Sequence, residues 1–357
     1  MKIVIVGGHL SPALAVIEKL KDEDVFYIGR KYSFEGDQAL SLESREIEKL
    51  NIPFFALNTA RLQRKFTKHT LPSLIKFPNG FIQAYKILKK IRPDIVLGFG
   101  GYLFLPVALA AVVLKIPIVI HEQTLEAGFT NKLVAKFAKK ICVSWPSSEK
   151  FFPKEKAVLT GNPLRQEIIN AKNNANKINA IPLVYITGGS AGAHALNLLV
   201  EETLDQLLQK CSVVHQTGGS EVYRDFERLE KRQSLRYKCQ KFFTAKEMAT
   251  FMSEADLVVG RAGINTVTEL VYLQKPSFLI PLPFGQKNEQ LKNAEYIKSL
   301  HLGEFVEQQS LTPDLFVSTI FSMLNNLAGY RSEKQVLAKD AAEKIAGVLK
   351  NVTKKKT

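Results

Sequence analysis

The feature that most constrains this chain is a recurring unit: a short β-branched run, a glycine turn, then an apolar-periodic stretch. Lys2 to Val6 runs into Gly7-Gly8, and Ser11-Pro12 opens a periodic stretch to Leu20 with proline at an early helical position. The unit returns at Asp94 to Leu97 with Gly98, Gly100 and Gly101, and at Ile118 to Ile120, followed by a helical Asn131 to Lys139. Polar, asparagine-rich sequence from Asn170 to Pro182 reads as a loop or linker. Beyond it the same units resume, with Leu183 to Thr187 as strand, Gly188-Gly189-Ser190-Ala191-Gly192 as turn and Ala193 to Leu208 as helix. Further strands are expected at Cys211 to Gln216, Asp256 to Val259 and Ser277 to Ile280. Wholly apolar strands alternating with helices build a parallel sheet covered on both faces. The chain is therefore read as α/β, two doubly wound halves in tandem, with ligands expected beyond the carboxyl ends of the strands, where the glycine turns sit.

A length of 357 residues suits two ordinary domains, and 46% apolar with 23% charged residues is a globular balance. Cys142, Cys211 and Cys239 are too widely spaced for a disulfide framework or a zinc motif and suit a reducing cytoplasm. The run from Met1 to Val6 reaches glycine too soon for a secretion signal. The longest apolar run, Tyr102 to Leu114, falls short of the roughly 20 residues that cross a bilayer. A net charge of +15 points to an anionic partner: a phosphate-bearing substrate, a lipid surface or nucleic acid. The last has no recognisable motif behind it.

Neither a Gly-x-Gly-x-x-Gly fingerprint nor a Gly-Lys-Ser/Thr loop is present, so nicotinamide and ATP chemistry lose their sequence support. Gly188, Gly189 and Gly192 let backbone approach a ligand ahead of a helix N-terminus suited to phosphate, or simply make a tight turn. Arg165 ends Gly161-Asn162-Pro163-Leu164-Arg165, a rigid turn from which a guanidinium clamps phosphate or joins a surface ion pair. In the run from Arg261 to Glu269, Thr266 and Glu269 fall on nearly one helical face. The Glu269 carboxylate there suits a ribose diol, or complements the helix dipole from the first turn. His9, just after Gly7-Gly8, offers an imidazole of near-neutral pKa as a general base, or is structural. From the residues alone, His121-Glu122-Gln123 reads as the polar start of a loop. No His-x-Glu-x-x-His or paired Cys spacing suggests a metal, and Asp22-Glu23-Asp24 precedes a strand, at the wrong sheet edge.

From Arg61 to Arg92, basic residues at 61, 64, 65, 68, 76, 86, 89, 90 and 92 stand with no acid, interleaved with Phe66, Phe77, Phe81, Ile82 and Tyr85. That suits an anionic membrane interface, although an amphipathic helix from Gly80 to Lys90 packing on the sheet accounts for part of it.

Taken together, Gly98-Phe99-Gly100-Gly101-Tyr102, His121-Glu122-Gln123 with Ala127 to Lys132, Gly161 to Arg165, Gly188 to Ala193, and Arg261-Ala262-Gly263 leading to Glu269 resemble one family over nearly the whole chain. It is the MurG family, bacterial glycosyltransferases that add N-acetylglucosamine to lipid I to make lipid II. The resemblance implies a GT-B fold, two Rossmann-like domains facing across a cleft. Residues 1–162 would take the acceptor and the membrane side, residues 163–335 the UDP-sugar, and a last helix, about 338–353, would cross back onto the first domain. Implied donor contacts are Arg165, Gly189, Ser190, Phe243 beside the uracil, Gly263, Thr266, Glu269 and Gln290. On the acceptor side the resemblance implies Gly7, Gly8, Gly100, Gly101, Tyr102, Glu122 and Asn131, with His9 catalytic. The implied reaction is inverting and metal-independent, onto the 4-hydroxyl of the muramyl sugar, with UDP-N-acetylglucosamine as substrate, no cofactor and no nucleic acid. The implied place is the cytoplasmic face of the plasma membrane, as a peripheral protein. Three departures stand out: the first loop lacks the Thr-Gly-Gly of the family's Gly-Gly-Thr-Gly-Gly-His, Thr124 stands where Asn is usual, and Ala262 where Ser is frequent. The short loop leaves fewer N–H groups for an acceptor diphosphate. The alternatives are transfer to another polyprenyl-diphosphate acceptor, a UDP-N-acetylglucosamine 2-epimerase of the same fold, and a membrane scaffold that binds UDP-sugar without turnover.

Overall fold

The computed structural model describes residues 1–32, 41–59, 70–173, 180–189, 192–283, 288–332 and 339–354. The chain divides into two compact units, Met1–Arg165 with Ala338–Thr357, and Gln166–Leu337. The division thus falls after Arg165, where the sequence reading draws it after Asn162.

The first unit alternates β1 (Lys2–Val6), α1 (Leu10–Ile17), β2 (Asp24–Gly29), α2 (Leu42–Lys49), β3 (Phe54–Ala56), α3 (Thr70–Ile91), β4 (Ile95–Gly98), α4 (Phe104–Val113), β5 (Ile118–Glu122), α5 (Phe129–Val134), β6 (Lys140–Val143), α6 (Pro146–Glu149) and β7 (Ala157–Leu159). Its seven strands are parallel in the order β3-β2-β1-β4-β5-β6-β7. Successive side chains of a strand point to opposite faces, and both faces here are covered. Ile3, Ile5, Tyr27, Ile95 and Leu97 pack with α1, while Val4, Val6, Ile28, Val96 and Ile120 pack with α3 and α4.

The second unit runs α7 (Gln166–Asn173), β8 (Leu183–Thr187), α8 (His194–Leu207), β9 (Ser212–Gln216), α9 (Asp225–Leu229), β10 (Tyr237–Gln240), α10 (Ala245–Glu254), β11 (Leu257–Gly260), α11 (Ile264–Leu273), β12 (Ser277–Leu279), α12 (Glu289–Ser299), β13 (Gly303–Phe305) and α13 (Pro313–Asn325). Its sheet is parallel in the order β10-β9-β8-β11-β12-β13. The last helix, α14 (Ala341–Lys354), packs on the first unit. Its Ala342, Ile345, Ala346 and Leu349 join the core of Ile3, Ile5 and Ala13. Polar contacts fasten the same helix: Lys19 pairs with Glu343 at 2.9 Å, and Glu23 holds both the chain's N-terminal amine at 2.9 Å and Lys350 at 3.5 Å. That is a structural use for the Asp22-Glu23-Asp24 run.

In each sheet the strand order reverses at one place, between β1 and β4 in the first and between β8 and β11 in the second. Loops leaving such neighbours diverge to opposite faces and open a crevice at the carboxyl edge. These two crevices hold most of the residues singled out above.

Candidate active site

In the first unit the loops after β1 and β4 touch. A Cβ on Gly8 would lie 2.5 Å from the Gly100 carbonyl oxygen, so only glycine permits the approach. Gly100 and Gly101 both have positive φ, 78° and 80°. Tyr102 packs half-buried against the core beside them. His9 stands at the N-cap of α1 without a capping side-chain bond. The sequence offered a near-neutral imidazole there; burial instead pushes it down to about 4, because desolvation penalises the charged form.

His121 and Glu122 are the last residues of β5 and not the start of a loop. Both are buried, which a strand end tolerates only when the polar groups are bonded. The Glu122 carboxylate is: Oε1 accepts from the Thr124 N–H at 3.0 Å and hydroxyl at 2.6 Å, Oε2 from the Gly128 N–H at 2.8 Å and Asn131 Nδ2 at 2.9 Å. Gly128 is the N-cap of α5, so this carboxylate anchors that helix. Asn131 Oδ1 is buried and, among the described residues, unpartnered, next to Gly100. His121 Nε2 lies 3.1 Å from Ser144 Oγ, and burial pushes its pKa down to about 3. The structure thus brings Gly8, Gly100, Gly101, Glu122 and Asn131 together, with Gly7 buried behind them.

In the second unit Gly188 and Gly189 follow β8, and Gly189 has φ 75°. Ser190 lies outside the described residues. Gln216, which the sequence reading passed over as a strand end, ties this edge together. Its Nε2 donates to the Gly189 carbonyl at 3.3 Å, and its Oε1 accepts from the Phe243 N–H at 3.1 Å. Only the β8–β9 register, which sets Thr187 opposite Gln216, reveals that role. Phe243 is 7% exposed, its ring against Tyr185 and Phe251, whereas its neighbour Phe242 is 53% exposed.

Gly263 is the N-cap of α11, and Thr266 is half-buried in that helix. Glu269 is buried and lies beyond the first turn of α11, so the helix-dipole reading of its carboxylate fails. Asn293 Nδ2 pins the turn before α11 through the Ala262 carbonyl at 2.9 Å. Arg261 braces the neighbouring edge, donating to the Ile280 carbonyl at 3.0 Å and Gln308 Oε1 at 2.6 Å. Gln290, in the first turn of α12, accepts from the Leu282 N–H at 3.1 Å. Arg165 is half-buried at the end of the first unit. Among the described residues no cluster of His, Cys, Asp or Glu has the make-up of a metal site.

The basic and apolar segment divides. Residues 61–69 lie outside the described residues; along α3, Phe81, Tyr85 and Leu88 pack on the core and Ile82 is exposed. A more exposed apolar row lies on and after α5, where Phe129, Leu133 and Phe137 recur at helical spacing between Lys132, Lys136, Lys139 and Lys140. No helix of the described residues is long and apolar enough to cross a membrane.

Comparison with known proteins places these features in a family. The N-terminal domain model of glycosyltransferase family 28 matches residues 6–143 and its C-terminal domain model residues 183–349. A Lachnoclostridium phytofermentans protein named UDP-N-acetylglucosamine–N-acetylmuramyl-(pentapeptide) pyrophosphoryl-undecaprenol N-acetylglucosamine transferase is 32% identical, covering 98% of this chain and 99% of the relative. The crystal structure of Acinetobacter baumannii MurG is similar at a TM-score of 0.73 and 27% identity, over 98% of this chain and 99% of that one. A UDP-GlcNAc 2-epimerase from Neisseria meningitidis matches at 0.69 and 15% identity over 98% and 100% of the two chains, a likeness of fold alone. The two parallel-sheet units are those of the GT-B fold. On this evidence the chain belongs to the MurG family of N-acetylglucosamine transferases, within glycosyltransferase family 28.

Proposed function

We propose that this chain transfers N-acetylglucosamine from UDP-N-acetylglucosamine to the 4-hydroxyl of the muramyl sugar of lipid I, with inversion and without a metal, giving lipid II for peptidoglycan. The observation that carries the reading is a glycine turn of positive φ at the switch point of each sheet, in a chain alike over its full length to transferases named for this transfer. The second unit takes the donor. The Gly189 turn lets the diphosphate approach, the backbone N–H groups at the start of α8 and Ser190 meet it, and Arg165, the last residue before this unit, adds its guanidinium. Glu269 accepts the ribose hydroxyls beside Thr266 and Gly263, Phe243 borders the uracil pocket from beneath, and Gln290 contacts the sugar. The first unit takes the acceptor along Gly7, Gly8, Gly100, Gly101 and Tyr102, held in shape by Glu122 and Asn131.

The chemistry is one displacement. The acceptor oxygen bonds to the anomeric carbon as its bond to UDP breaks, and the hydroxyl proton passes to His9. His9 is neutral at pH 7, so it has a lone pair to receive that proton. Its basicity climbs when the acceptor's negative diphosphate binds nearby, and the hydroxyl becomes acidic as the new bond forms. UDP leaves with its charge met by the α8 N-terminus and Arg165. The Phe129, Leu133 and Phe137 row, its lysines and the Arg61 to Arg92 stretch seat the first unit on anionic lipid, each basic residue near the surface contributing about 1 kcal/mol. That makes the chain a peripheral protein of the cytoplasmic membrane face.

The test is UDP release from UDP-N-acetylglucosamine with and without a lipid I analogue in anionic micelles, for the unsubstituted chain and His9→Ala. Release should depend on the acceptor and fall at least about 100-fold in the variant. Because the base must be unprotonated, kcat/KM should lose activity only below about pH 5, its acid limb set by a free-chain pKa of about 4. UDP binding without acceptor-dependent release would replace this reading with another acceptor or a scaffold.

A further inference from the structure

Strand β2 ends Tyr27-Ile28-Gly29 and runs into Arg30, and α2 begins after Ser41, whose Oγ caps the Ser44 N–H at 3.1 Å. This cap sets Glu43 in the first turn of α2, its side chain reaching back over the ends of β1 and β2. A Cβ on Gly7 would lie 2.6 Å from both Glu43 Oε2 and the Tyr27 hydroxyl, and one on Gly29 2.7 Å from the same carboxylate oxygen. The two glycines therefore leave the room that a carboxylate and a phenol share at the carboxyl edge of the sheet.

These groups are poorly satisfied. Tyr27 is fully buried and, among the described residues, its hydroxyl has no partner; Arg30 Nε is buried and likewise unpartnered among them. Glu43 is only partly buried, and among the described residues its carboxylate accepts one long bond, from the Arg30 N–H at 3.3 Å. Burial raises its pKa, the mark of a carboxylate short of donors. Native proteins pair buried polar groups, so such a cluster at a ligand-facing edge waits for a partner. A carboxylate repels phosphate and accepts from hydroxyl or amide N–H groups. The adjoining loop has only Gly7-Gly8 before His9, so side chains must supply what few backbone N–H groups do not.

We propose that Glu43, with Tyr27 and Arg30, binds a hydroxyl or amide N–H of the uncharged sugar or peptide part of the acceptor, an inference that rests on the acceptor reading above. Glu43→Gln keeps the shape and replaces one accepting oxygen by a donor. In steady-state kinetics with a lipid I analogue it should raise the acceptor KM at least about tenfold and leave the UDP-N-acetylglucosamine KM within about twofold, with an unchanged unfolding temperature. Tyr27→Phe removes an oxygen that bonds none of the described residues, so it folds, and should raise the acceptor KM about threefold. An acceptor KM unmoved in both variants, or both substrate KM values rising together with a lower unfolding temperature, would overturn the inference while leaving the transfer intact. No acceptor-dependent turnover in the unsubstituted chain would overturn both.

Discussion

The two carboxyl edges are built from different materials. In the first unit the edge is made of side chains: Glu122 gathers N–H and O–H donors from Thr124, Gly128 and Asn131, and His121 is locked against Ser144. In the second it is made of backbone, a glycine turn running into α8, with Gln216 as its main brace. A side-chain edge holds its shape only while the polar groups that brace it stay paired. A backbone edge needs little beyond a φ that glycine allows and N–H groups left free at a helix start. The first should therefore lose stability on losing a polar atom, the second lose its ligand on gaining a carbon.

The largest effect is expected from Glu122→Ala. It strands the Thr124 and Gly128 N–H groups, leaves the Thr124 hydroxyl only the Glu126 carbonyl and Asn131 Nδ2 only the His121 carbonyl, and unpins α5. Buried donors left unmade cost about 1–3 kcal/mol each, partly recovered by relaxation, so a loss of about 3–5 kcal/mol is expected by urea unfolding. A loss within the surface range of about 0.5 kcal/mol would mean that the network is not what holds this edge.

Next comes Glu269→Ala, the equivalent removal of a buried carboxylate from the second unit. Here the expected loss is of ligand more than of fold. UDP affinity by titration should fall about 100-fold, which is two charge-assisted hydrogen bonds to a diol at a little over 1 kcal/mol each. Retained UDP affinity would remove Glu269 from the donor site and make the two glutamates alike.

The same contrast explains what was legible in the sequence. β1, β4, β5, β8 and β11 could be read because central parallel strands are apolar on both faces, and the glycines after them marked both crevices. The end of β5 reads as a loop because His121 and Glu122 are polar, and only tertiary partners such as Ser144 and Asn131 let them be buried in a strand. α3 begins at Thr70 and runs through Pro78 and Gly80, residues that locally signal a break, because its Ala84, Leu88 and Ile91 side packs on the sheet. Glu43 gave no signal at all: it is one acid among several in a polar helix, and its place over Gly7 depends on where α2 lands. Phe129, Leu133 and Phe137 recur at a helical spacing that serves core and surface alike, and only their exposure tells the two apart.

The finest test sets one glycine of each edge against the other. Gly100 and Gly189 have nearly the same backbone, φ 78° and 75°, so alanine meets the same left-handed penalty of about 1–2 kcal/mol at both. Their surroundings differ: a Cβ on Gly100 would press 3.3 Å from both the amide nitrogen and oxygen of Asn131, while one on Gly189 would meet none of the described residues within 4 Å. Gly100→Ala must therefore also displace a residue that donates to Glu122, and should cost about 1 kcal/mol more than Gly189→Ala by urea unfolding. For a domain of this size Gly189→Ala should lower the unfolding temperature by only about 2–8 °C. Its methyl would occupy open space where the diphosphate has to approach the backbone, so UDP affinity should fall about tenfold even as the fold survives. Equal stability losses at the two positions would erase the distinction between a side-chain edge and a backbone edge. Undiminished UDP affinity in Gly189→Ala would move the diphosphate away from this turn, leaving its glycine a requirement of the chain path between β8 and α8.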